Sequence, residues 1–183
     1  MKTYSWTLIL ASSLALAGCG QSGEGAKTGE QADGKAAAPA GWNAADACAV
    51  VDKAKMAATA GKPVSEATVG LVHVSSGGSD ATTSECSYIF EDGSRGSVML
   101  RWSPIGDNTP DTMALALNTS KQTAEAFGAK VEAVEGLGKS AFWIDKMAAM
   151  NVFIDEAKFA IITLPTSPSA KEQATKLARD LGA

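Results

Sequence analysis

Residues 86–102 have the sequence CSYIFEDGSRGSVMLRW, which contains the clearest β-hairpin pattern in the chain. Apolar side chains alternate along both arms, with Cys86, Tyr88 and Phe90 before the polar turn EDGS and Val98 and Leu100 after it. Alternate side chains of a strand point to the same face of its sheet. The stretch therefore predicts two antiparallel strands that share one buried face.

Apolar runs on either side of this hairpin predict further strands at residues 66–74, 141–144, 151–154 and 159–164. Alanine-rich and apolar-periodic segments predict helices between them: one broken helix or two short ones at 42–61, one at 109–128, and one that begins at 169. These elements predict an α+β domain on a single antiparallel sheet of about five to six strands. Helices lie at the start, middle and end of this domain.

The helix starts are predicted from capping residues, whose side-chain oxygens accept a backbone N–H of the first turn. Asn43 or Asp46 is expected to cap the first turn, and Asp52 is expected to cap a second one. Thr109-Pro110 has the pattern of a cap followed by proline at the first helical position. The sequence Ser-Ala-Lys-Glu at 169–172 has the pattern of a capping box.

The N-terminus has the features of an export signal. Met1–Ala17 contains one positive charge, an apolar stretch too short to span a bilayer, and then small residues. The segment Leu16-Ala17-Gly18-Cys19 resembles the lipobox of bacterial lipoprotein precursors. That resemblance implies lipidation of Cys19 and cleavage before it. The alternative is an ordinary secreted protein in which Cys19 is a spare thiol.

These features predict three parts: a signal peptide at 1–18, a lipidated flexible tether at 19–41 and a single α+β domain at 42–183. The tether is expected to be flexible because it is rich in glycine and alanine and has no aromatic or branched apolar residue up to Gly41. The mature protein is expected to lie outside the cytoplasm, bound to the membrane through lipid on Cys19. Because Gly20 rather than Asp follows that cysteine, the outer membrane is expected if the host has two membranes.

Two further cysteines, Cys48 and Cys86, remain in the predicted domain. Disulfides persist in oxidising compartments, so an exported chain with an even pair is expected to bond them. The alternatives are a redox-active pair or metal ligands. The sequence disfavours both, because it contains no Cys-x-x-Cys motif and His73 is its single histidine. No metal or other cofactor is therefore expected.

Charge and motifs also exclude classes of function. The net charge of −4 and the lack of a basic run disfavour nucleic acid as a partner. His73 lies in a predicted strand without any hydrolase or zinc motif beside it. A carboxylate dyad of Asp111 or Glu135 with Asp145 remains conceivable from composition alone. No catalytic residue is assigned, and the glycines of the sequence EGLG at 135–138 are expected to form a tight turn.

Aromatic and methionine residues of the predicted strands suggest a surface for a ligand or partner. Phe142 and Trp143 are neighbours on one strand and must point to opposite faces, so one of the two is expected to be partly exposed. Trp102, Trp143 and Met147 are the candidate apolar patch, with Met150 nearby. The alternative is that these side chains pack beneath the flanking helices.

Several short segments resemble an uncharacterised-domain family of small bacterial lipoproteins; they are Asp46-Ala-Cys48, Gly61-Lys-Pro63, Cys86-Ser-Tyr88 and the sequence VEGLGKSAF at 134–142. The resemblance spans most of residues 44–181 and implies a compact extracytoplasmic sensor or accessory module without catalytic residues. Three hypotheses follow. The first is a noncatalytic module that binds a small ligand or an envelope protein, the second is a structural or assembly protein of the envelope, and the third is a hydrolase of an unfamiliar type.

Overall fold

Seven strands form one antiparallel sheet in the computed structural model, which describes residues 39–74 and 78–183. The strands are β1 (Val64–His73), β2 (Thr82–Phe90), β3 (Arg95–Trp102), β4 (Val131–Ala133), β5 (Ser140–Ile144), β6 (Ala149–Phe153) and β7 (Lys158–Thr163). Their order across the sheet is β1-β2-β3-β7-β6-β5-β4. The predicted signal peptide, Cys19 and the predicted tether up to residue 38 lie outside the described residues.

The predicted α+β class and single antiparallel sheet are confirmed, but the sheet has more strands than the five to six expected. The additional strand is β4, which spans three residues and pairs with β5 through Val131 opposite Ile144. A segment of this length is too short to show an alternating pattern. The predicted hairpin is β2–β3, with Cys86 opposite Val98 and a turn around Gly93.

Within the described residues, four helices accompany the sheet: α1 (Ala47–Val50), α2 (Lys53–Ala60), α3 (Pro110–Ala126) and α4 (Ala170–Asp180). Three predicted caps are present, because Asp46, Asp52 and Thr109 each accept a backbone N–H of the first turn of α1, α2 and α3. Each cap satisfies one amide that the helix itself leaves without a partner.

The predicted capping box at the start of α4 is wrong, although the helix begins where expected. Ser169 has helical backbone angles and makes no side-chain cap hydrogen bond. A capping residue is normally extended, which directs its side chain toward the following amides. The N–H of Ala170 instead donates to the carbonyl oxygen of Ser167 at 3.2 Å, so a backbone turn replaces the side-chain cap.

Helices cover the two faces of the sheet unequally. On one face, α1, α2 and α4 pack over the larger core, which contains the predicted alternating set Cys86, Tyr88 and Phe90. On the other face, α3 packs over a smaller cluster that includes Phe142 and Phe153. None of the described helices combines the length and apolar character needed to cross a membrane.

The expected disulfide joins Cys48 in α1 to Cys86 in β2, with 5.0 Å between the two Cα atoms. Nearby, the Tyr88 hydroxyl donates to the backbone carbonyl oxygen of Val51, which lies between α1 and α2. A second polar contact reinforces this edge of the core, where the N–H of Ala47 donates to the Ser84 hydroxyl at 2.8 Å. The short N-terminal helices are thus attached to β2 by one covalent bond and two buried hydrogen bonds.

Candidate functional site

His73 ends β1 and pairs with a carboxylate. Its Nε2 atom lies 2.9 and 3.0 Å from the two carboxylate oxygens of Asp80. The imidazole is 58% exposed, whereas general acids and bases work best where water is largely excluded. The contact supplies one of the partners that a hydrolase would need, but it lies on the open surface of the sheet edge.

Two of the three carboxylates considered for a glycosidase dyad, Asp145 and Asp111, have other roles in the described structure. Asp145 accepts the backbone N–H groups of Lys130 and Lys146 at 2.8 and 2.6 Å. These hydrogen bonds hold the pKa of Asp145 below its ordinary value, whereas the acid of a glycosidase pair needs a raised pKa. Asp111 lies in the first turn of α3, where a negative charge interacts favourably with the helix dipole.

Among the described residues, no group of three or more histidine, cysteine, aspartate or glutamate side chains is arranged to hold a metal ion. The glycines at 136 and 138 have positive φ angles of 67° and 57°, as the predicted tight turn requires. Leu137 between them is buried, and the backbone of Gly138 lies against the carbonyl oxygen of Phe153. The Leu137 side chain and the Phe153 backbone therefore occupy the space beside this turn.

The predicted apolar patch does not form at the residues named from the sequence. Trp102 and Trp143 are buried in the larger core, and Met147 alone among the three candidates is exposed. The expectation that Phe142 or Trp143 would be partly exposed is wrong, because both are buried. They do point to opposite faces, but α3 covers Phe142 on one face, and the larger core encloses Trp143 on the other.

The exposed apolar side chains that adjoin one another in sequence lie at the end of β1. Val69, Leu71, Val72 and Val74 are 37%, 64%, 46% and 54% exposed, and we call these four residues the edge patch. β1 has a single neighbour, β2, in the described sheet. A strand in this position presents backbone N–H and C=O groups along its outer side, in addition to its side chains.

The position of α1 and α2 explains why the edge patch is uncovered. Val64 at the start of β1 is buried, and the Lys53 ammonium in α2 donates to the carbonyl oxygen of Ser65 at 2.6 Å. Farther along, Val69 lies opposite Cys86, the β2 residue that the disulfide joins to α1. The helices therefore cover β2 but leave the second half of β1 extending beyond them.

Sequence reasoning missed the edge patch because an apolar run normally indicates burial. One signal was nevertheless present in the sequence. Edge strands that resist pairing with another chain usually carry lysine, arginine or proline, and residues 67–74 contain none of these, with His73 as the only ionisable side chain. The local pattern identified a strand correctly but gave no information about its place in the sheet.

A second surface feature is a groove of about 850 Å³ between α2 and α4. Lys55, Lys176 and Arg179 line it together with Glu172 and Asp180, so charges of both signs share the same wall. Lys171 also lines the groove and pairs with Glu132 at 2.6 Å. The groove is open, and its walls combine apolar surface with charges of both signs, which does not single out one class of ligand.

Comparison of the chain with family models, with curated proteins and with solved structures found no match in any of the three. Within the described residues, the edge patch and the outer side of β1, which no described strand covers, form the strongest candidate site on structural grounds.

Proposed function

We propose that this protein is an extracytoplasmic lipoprotein, anchored through lipid on Cys19, whose domain is a noncatalytic interaction module. The module binds an extended segment of a protein along the outer side of β1. The observation that carries this proposal is the combination of an edge strand, whose outer side has no partner strand among the described residues, with four exposed apolar residues.

Addition of a strand to a sheet edge suits this surface. Backbone hydrogen bonds to the incoming segment give affinity, and alternate side chains of the edge strand give specificity. The edge patch also offers apolar area whose removal from water favours association. The exposed His73–Asp80 pair beside it adds a polar group at the border of the same surface.

The anchoring part of the proposal rests on the lipobox resemblance at residues 16–19. Mass spectrometry of the membrane-extracted full chain tests it. A mature N-terminal peptide that begins at Cys19 and carries fatty acid supports the proposal, and an intact precursor or an unacylated N-terminus contradicts it.

Photocrosslinking in intact membranes tests the interaction part. A photoreactive amino acid replaces Leu71 in the full chain, and in a matched control it replaces Glu91, which is exposed at the turn between β2 and β3. We expect a discrete protein adduct from position 71 that position 91 does not give. No protein adduct from position 71, or the same adducts from both positions, would overturn the proposed interaction.

A further inference from the structure

We infer that the segment that pairs with β1 is the β1 strand of a second copy of this chain, which makes the protein a two-fold symmetric dimer with a continuous sheet. This inference rests on the proposed function and names the partner of the same surface. It follows from an unusual register within β1.

The pairing of β1 with β2 contains a shift between Val69 and Val72. Val69 lies opposite Cys86 and Val72 opposite Ser84, so three steps along β1 match two steps along β2. One extra residue in a strand is a β-bulge, and it reverses the side-chain alternation beyond that point. Two residues that lie on opposite sides of the bulge and are separated by an odd number of positions therefore point to the same face of the sheet.

Two pairs of residues show the effect. Glu66 and His73 lie opposite Ile89 and Thr83 of β2, on the face away from α1 and α2. Ala67 and Val72 lie opposite Tyr88 and Ser84 of β2. They are therefore on the face of the sheet that α1 and α2 cover at β2. Without the bulge, each pair would be divided between the two faces.

With a two-fold axis between Val69 and Gly70, the β1 strand of one copy becomes complementary to the β1 strand of a second copy. Antiparallel pairing of two β1 strands about that axis sets Glu66 of each copy opposite His73 of the other, and Ala67 opposite Val72. Because both members of each pair lie on the same face, the side chains meet across the interface. Gly70 lies next to the axis and has no side chain to obstruct the close approach of the strands.

A polar contact complements the shape. Each His73 then lies between Asp80 of its own chain and Glu66 of the other copy, so that its imidazole meets a carboxylate on either side. The same contact occurs twice, as it must in a symmetric interface. The pairing also removes Leu71 and Val72 from water, and it supplies partners to the outer backbone groups of β1.

A charge-exchange experiment tests the register. Analytical ultracentrifugation of the detergent-solubilised full chain is expected to show a monomer–dimer equilibrium. H73E gathers three carboxylates at each of the two contacts, and we expect it to weaken the dimer roughly ten-fold or more. Addition of E66K in the double variant E66K/H73E sets a lysine opposite a glutamate at each contact and is expected to restore dimerisation.

Two further variants complete the test. L71K places a charge within the edge patch and is expected to abolish the dimer, whereas E91K introduces the same lysine side chain at the exposed turn and is expected to leave dimerisation unchanged. A wild-type chain that sediments as a monomer at all concentrations would overturn the inference. So would an H73E variant that associates as well as wild type, or a double variant that fails to recover.

The two proposals fail in different ways. A monomeric wild-type chain that still gives a crosslinked adduct with another protein from position 71 rejects the dimer and retains the interaction module. A chain that gives neither a dimer nor an adduct rejects both.

Discussion

The Tyr88 hydroxyl donates a hydrogen bond to the backbone carbonyl oxygen of Val51, and so links the middle of β2 to the junction of α1 and α2. The phenol is buried, which raises the pKa of Tyr88, and the carboxylates of Asp52 and Asp46 raise it further. The hydroxyl therefore stays protonated and remains a donor across the physiological range.

Replacement of Tyr88 by phenylalanine tests the value of this contact. Y88F keeps the ring but leaves the Val51 carbonyl oxygen without its donor, so we expect the free energy of unfolding to fall by about 1–3 kcal/mol. Urea denaturation followed by circular dichroism measures the change. S87A removes a hydroxyl from an exposed position of the same strand and is expected to cost less than about 0.5 kcal/mol. Equal losses in the two variants would contradict this assignment.

The disulfide is expected to contribute a large share of the stability. Closing a loop over a sequence separation of 38 lowers the entropy of the unfolded chain by an amount worth about 4 kcal/mol. The double variant C48A/C86A should therefore unfold at a much lower urea concentration than the oxidised wild type. Dithiothreitol should destabilise the wild-type protein and leave the double variant unchanged. A reductant effect on the double variant would show that the loss arises elsewhere.

The ion pair of Arg101 and Asp107 predicts an acid-sensitive contribution. The guanidinium donates to both carboxylate oxygens at 2.9 and 2.5 Å and holds the pKa of Asp107 below its ordinary value. A group whose pKa is lowered on folding adds stability above its unfolded pKa of about 4, and that stability is lost as the pH falls through the folded value.

The variant D107N tests this contribution. Because both side chains are partly exposed to solvent, we expect a loss of only about 0.5–1 kcal/mol at pH near 7. The difference from wild type should shrink as the pH falls below about 4. Urea titrations at several pH values measure it, with the exposed-turn variant E91Q as control. A difference that stays constant to low pH would rule out the ionised pair as its source.

The two glycines of the turn at 136–138 form a matched pair for mutagenesis. Both have positive φ, so alanine at either position is expected to cost about 1–2 kcal/mol of backbone strain. A Cβ at Gly136 meets nothing within 4 Å, whereas one at Gly138 would collide with the Phe153 carbonyl oxygen. We expect G138A to lose about 1–3 kcal/mol more than G136A. Equal destabilisation in urea unfolding would contradict the collision.

Local chemistry in the sequence was sufficient to predict the hairpin and most helix starts. The alternation through Cys86, Tyr88 and Phe90 and the caps at Asp52 and Thr109 each depend on residues close in sequence. Such signals are reliable because the interactions they describe are completed within a few residues.

Features that depend on distant residues could not be predicted in this way. The burial of Trp143 depends on the larger core formed by distant parts of the chain, and the exposure of Leu71 depends on β1 lying at the edge rather than in the middle of the sheet. Ser169 matched a capping pattern, but its backbone is helical rather than extended, so its side chain does not cap the helix. Strand order and helix placement therefore determine the candidate site, and neither is encoded in a local pattern.

The position of the Cys48–Cys86 bond has a mechanical consequence. A pulling force applied between the N-terminal side of Cys48 and the C-terminus passes through the sulfur atoms directly into β2, because the covalent bond bypasses the intervening chain. The bypassed loop contains α2 and β1. Tension that peels other strands from the sheet therefore cannot extend this loop, and the segment that carries the edge patch stays out of the load path until the bond is reduced.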